Sequence, residues 1–157
     1  MATTGTFCVM NGHTVPHSPL ASWHVALPHS AGAVPVARAL VRTALAELEH
    51  SADSDTAELL TAELVANAVE HTADGGPIEL LVELLPSGCH VEVRDPDPAP
   101  PGDLTRPDLT PPDPWREGGR GLLLIRALSS SCGHRPAGSG KAVWFRLLAA
   151  PGLPGPA

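Results

Sequence analysis

Glu63 and Asn67 stand one helical turn apart in "ELVANAVEH", residues 63–71. On a helix, positions i and i+4 share a face, so a carboxylate and a carboxamide point the same way. Leu64, Val65, Ala68 and Val69 form the apolar side of that helix. Asparagine is a poor helix former, because its amide competes for backbone hydrogen bonds. Set against propensity beside a carboxylate, it marks a candidate site. A carboxamide oxygen is a hard, neutral ligand for Mg²⁺, which takes few protein ligands and completes its shell with substrate phosphates. A glutamate one turn away has the chemistry of a base toward a hydroxyl or water attacking a γ-phosphate. The same spacing also describes a solvated polar face. Glu70 lies near this face, and His71 continues the row from Asn67.

Other stretches carry chemistry of their own. Asp95 ends "HVEVRD" just before a proline-rich run. A carboxylate at a strand end can accept from an exocyclic amine, and Asp before proline is equally a common way to start a turn. "EGGRGLLLI", 117–125, brings glycines to a helix start, where backbone amides can meet a phosphate; a plain hinge has the same composition. "GSGKAVW", 138–144, looks like a phosphate loop but is not one. Arg135 stands where that motif needs glycine, Ala142 stands where it needs Ser or Thr, and the stretch enters a strand. His13, His17, His24 and His29 lack the convergent spacing of a zinc site. Cys132 and His134 in "CGH" read as a glycine-rich turn rather than a nucleophile pair.

The elements that must position these residues follow from periodicity. "SWHVALP" (22–28) alternates as a first strand, and "VPVARALVRTALAELE" (34–49) has helical spacing. In that helix Val36, Leu40, Val41, Ala44, Leu45 and Leu48 share a face. "SADSD" (51–55) offers N-caps for the helix bearing Glu63, and "ADGG" (73–76) offers glycines to end it. "IELLVELL" (78–85) and "HVEVRD" (90–95) read as strands joined by a tight turn. The proline-dense segment 96–119 reads as a long loop, of the kind that serves as a lid or a linker. "RGLLLIRALSS" (120–130) reads as a helix and "KAVWFRLL" (141–148) as a final strand. The expected fold is a two-layer α/β sandwich: a mixed, mostly antiparallel sheet with about three helices on one face and a Pro-rich lid. Residues 1–21 are expected to be a flexible segment, 22–148 the domain, and 149–157 a tail.

Composition narrows the partners. The chain has 157 residues, enough for one domain with a real core, and a formal net charge of −7. That charge, with basic residues scattered, argues against direct nucleic-acid binding. No apolar run approaches a membrane span, and the N-terminus lacks the basic start and apolar core of a signal peptide. Three cysteines without a CxxC pair read as reduced thiols, so a cytoplasmic protein is expected.

Taken in order, these pieces resemble the ATP-binding fold shared by gyrase, a heat-shock chaperone, histidine kinases and the mismatch-repair ATPases. More narrowly, the chain resembles the single-domain anti-sigma-factor serine kinases of actinobacterial regulation. The resemblance covers about residues 22–148, with "ELVANAVEH" its strongest motif. It implies that Asn67 coordinates Mg²⁺, that Glu63 is the catalytic base and that Asp95 reads the adenine amine. It further implies nucleotide contacts from His71, Asp97, Gly118, Gly119, Arg120, Gly121, Leu122 and Lys141. Partners implied are a sigma factor and an anti-sigma-factor antagonist, and a homodimer is compatible with the pattern. Two positions depart from it: Asp97 stands where the family usually has glycine, and Ala142 where the last strand usually has threonine. Both bear on nucleotide affinity more than on fold. A non-catalytic module that sequesters a protein, with weak or structural nucleotide binding, is the competing expectation.

Overall fold

The computed structural model of the protein describes residues 7–10, 13–16, 19–47, 53–71, 76–98 and 119–149. Strands β1 (Phe7–Met10) and β2 (His13–Pro16) pair antiparallel with each other, two elements that the sequence reading does not place. Then follow β3 (Ala21–Leu27), α1 (Ala33–Glu47), α2 (Ser54–His71), β4 (Ile78–Leu85) and β5 (Gly88–Asp95). The chain continues through α3 (Gly119–Leu128), β6 (Ser131–Ala137) and β7 (Gly140–Leu148).

Strands β3 to β7 form one sheet in the order β3-β4-β5-β7-β6, and every pairing in it is antiparallel. The expected α/β sandwich is therefore the fold, without the mixed component. The reason is connectivity. Two helices between β3 and β4 return the chain to the end it left, so β4 must run back. One helix between β5 and β6 makes those two strands parallel, but β7 lies between them. Strand β6 is the other element missing from the sequence reading. Its "SCGHRPA" carries Gly133 and Pro136, which an edge strand tolerates because one side of its backbone needs no partner.

Strand alternation sorts the sheet into two faces. Ile78, Leu80, Val82 and Leu84 of β4, Cys89, Val91 and Val93 of β5, and Val143, Phe145 and Leu147 of β7 are buried in one core. Helix α1 contributes Ala33, Ala37, Val41, Ala44 and Leu45 to it, and α2 contributes Ala57, Leu60, Leu64, Val65 and Ala68. Leu40, Val41, Ala44 and Leu45 of the expected α1 face are in or against the core, but Val36 is 51% exposed, and Ala33 and Ala37 are buried in its stead, allowing close approach. Leu48 lies outside the described residues. Asp53 caps α2, its Oδ1 accepting from the Thr56 amide at 3.2 Å and its Oδ2 from the Thr56 hydroxyl at 2.6 Å. These two bonds hold its carboxyl below the usual carboxylate range. Arg42 of α1 donates to Glu58 Oε1 through Nε and an Nη at 3.1 and 2.6 Å, tying the two helices.

Candidate functional site

Helix α2 packs against β5 and β7, the strands that carry Asp95 and Lys141. Asn67 is buried beside Leu64 and Ala68, and Glu63, one turn earlier, is half-buried. Neither side chain makes a hydrogen bond or ion pair with a described residue. His71 is the last residue of α2.

Asp95 continues the parity of Val91 and Val93, so its side chain faces the helix layer. Lys141 is its direct partner across β5 and β7. The Lys141 Nζ donates to Asp95 Oδ1 at 3.2 Å and to the Asp97 carbonyl at 3.0 Å. The Asp97 amide donates to the same Asp95 Oδ1 at 2.9 Å, closing a side-chain turn at the root of the proline-rich segment. Both donors fall on one oxygen, so among the described residues Oδ2 accepts nothing. It is an acceptor suited to an amine. Asp97, expected as a nucleotide contact, enters this arrangement through its backbone.

Glycine makes the arrangement possible. A Cβ on Gly140 would run into the Asp95 carbonyl oxygen and the Pro96 backbone, so only glycine lets β7 begin this close to the end of β5. Gly138, at φ +58° in the turn before it, occupies the left-handed region. The "GSGK" stretch is therefore a hairpin turn, as its mismatch to a phosphate loop requires. Ala142 pairs with Arg94 on the face away from the helices. A threonine hydroxyl at 142 would point away from Asp95, so this departure from the family pattern bears on the opposite face.

Gly119, Arg120 and Gly121 form the first turn of α3, which packs against α2. Their backbone amides are at a helix start, where anions are favoured. The Leu122 side chain lies in the core. Gly118, with residues 99–118 that make up most of the expected lid, lies outside the described residues.

The open face of the sheet carries a separate charged network. Glu92 is fully buried there, bonded to Arg94 Nε at 2.7 Å, to Arg135 at 2.6 Å and to His90 Nε2 at 3.2 Å. Arg146 Nε donates to His90 Nδ1 at 3.1 Å, and its guanidinium lies 5.9 Å from the centre of the Trp144 ring. Burial pushes the Glu92 carboxyl up, but the bonds from His90, Arg94 and Arg135 outweigh it and hold the group at about 2. The alternation "HVEVR" displays this network in the sequence, with apolar residues at odd positions and polar ones at even positions. A cavity of about 330 Å³ opens at the sheet end between Glu79, Arg94, Asp95, Pro96 and the Gly138–Gly140 turn. Neither Glu63 nor Asn67 lines it, so it is not the space under α2.

The donor set under α2 fits a magnesium nucleotide. Asn67 offers one neutral oxygen, Asp95 Oδ2 offers an acceptor, and no cluster of three His, Cys, Asp or Glu among the described residues forms a self-sufficient metal site. A cation held by one protein ligand needs a ligand that brings its own oxygens. Residues 27–147 match the family model of the histidine kinase-like ATPase domain. The match covers well over half of the chain, and the protein belongs to that family. The family supports ATP as its ligand. No protein of curated function matches the chain. No described helix is long and apolar enough to cross a membrane.

Proposed function

We propose that the protein is a cytoplasmic, ATP-binding regulator of the anti-sigma-factor type. In this reading it phosphorylates a serine of an antagonist protein and thereby switches between that antagonist and a sigma factor. The observation that supports it most is the pair Glu63 and Asn67, one turn apart and without partners among the described residues, on a helix that packs against the strand carrying Asp95. When bound, Mg-ATP supplies the phosphoryl group and the charge neutralisation that its transfer needs. Asn67 would hold the cation through its amide oxygen. Asp95 Oδ2 would accept from the exocyclic amine of the base, and the first-turn amides of α3 would bind the phosphates. Glu63 takes the proton of the attacking serine hydroxyl.

Isothermal titration with ATP and Mg²⁺ tests the binding half of this reading. The parent should bind Mg-ATP, and Asn67→Ala should lose Mg²⁺-dependent binding while melting at the parent's temperature. Equal affinity in the two proteins would remove Asn67 from the site. Tight binding by the parent without transfer to any serine would instead favour a module that sequesters its partner, a reading that Asp97 in the usual glycine position also favours.

A further inference from the structure

We infer that Lys141 is the positioning residue for base recognition: it fixes the Asp95 carboxylate so that a single oxygen, Oδ2, is presented to an exocyclic amine. The inference rests on the nucleotide reading given above. A carboxylate turns about its last torsion with a broad preference, and an acceptor that can turn away discriminates poorly. Here Oδ1 is held from two directions, by the Asp97 amide at 2.9 Å and by Lys141 Nζ at 3.2 Å. Either donor alone would leave the group freer to rotate. The pair pins it, and among the described residues Oδ2 is left to accept.

Lys141 is itself fixed. Its side chain is 8% exposed and that of Asp95 is 1% exposed, and the two residues are direct partners in the β5–β7 register. A second bond from Nζ, to the Asp97 carbonyl at 3.0 Å, ties the same ammonium to the first residues after β5. A threonine or serine at 141 would be too short to reach both oxygens. Lysine at this position therefore couples the reading of the amine to the place where the proline-rich segment begins.

The test compares ATP with purine riboside triphosphate, whose base lacks the exocyclic amine, by titration in Mg²⁺. The parent should prefer ATP by about tenfold or more, the usual consequence of losing a hydrogen bond to a charged acceptor. Lys141→Met should narrow that preference to about two- to threefold, weakening ATP while leaving the amine-free analogue nearly unchanged. Lys141→Arg, which keeps a cationic donor, should restore most of the preference. A merely structural lysine would weaken both ligands equally. Should Lys141→Met not fold, Lys141→Gln, too short to hold both oxygens, is read by the same criterion. A preference unchanged in the variant overturns the positioning role alone. Equal binding of both ligands by the parent overturns the role of Asp95 as well, and binding of neither overturns the nucleotide reading itself.

Discussion

Gly140 lies directly against the backbone of Asp95, closer than any side chain would allow. The hairpin between β6 and β7 thus sets the position of a carboxylate that belongs to another strand. Gly140→Ala should force β5 and β7 apart at this end, costing about 1–3 kcal/mol as overpacking does. Gly138→Ala meets no neighbour and suffers only the left-handed backbone at φ +58°, so it should cost about 1 kcal/mol. Thermal melts of the two variants should rank in that order, and ATP affinity should fall only for Gly140→Ala. The reverse ranking would show that the turn, not the contact with Asp95, is the constraint.

The Glu92 network makes an acid-stability prediction. The folded carboxyl sits at about 2, below its ordinary 4.5, so it binds a proton less readily folded than unfolded. Its stabilising contribution is fully present above pH 4.5 and is lost as the pH falls toward 2. The shift corresponds to on the order of 3 kcal/mol. Denaturant unfolding between pH 6 and pH 2 should show this loss, and Glu92→Gln should be less stable at pH 6 but flatter below it. Parallel curves for the two proteins would contradict the assignment.

Asp53 should matter through its cap alone. Asp53→Ala removes the acceptor for the Thr56 amide and hydroxyl and should cost about 0.5–2 kcal/mol. Asp53→Asn or Asp53→Ser should recover most of it. An unchanged melting temperature for Asp53→Ala would mean that packing of α2 on the sheet, not its capping, sets the helix start.

Much of this fold was legible because alternation and helical spacing survive in the sequence. β4 and β5 were placed within two residues, and α2 carries the expected apolar face of Leu64, Val65 and Ala68. Strand β6 was not legible, since Gly133 and Pro136 signal a turn unless one knows that the strand lies at an edge. The face of α1 was misplaced at Val36, because counting hydrophobic residues overlooks alanines that are buried for closeness rather than for area. At the candidate site, residue type and spacing single out Glu63, Asn67 and Asp95. The clasp on Asp95 was not, for it depends on a register across β5 and β7 that separates its partners by 46 positions. Gly140 was missed for the same reason.

The most direct measurement of the proposed function is transfer of labelled phosphate from ATP to a candidate antagonist by the parent and by Glu63→Gln. The substitution keeps the size of the side chain and removes its basicity. The parent should label a serine of the antagonist. Glu63→Gln should bind Mg-ATP nearly as well, yet transfer roughly 10²–10⁴-fold more slowly, the usual worth of a positioned base. Parent and variant labelling the antagonist at equal rates, or a parent that binds ATP tightly and labels no serine, would contradict the account.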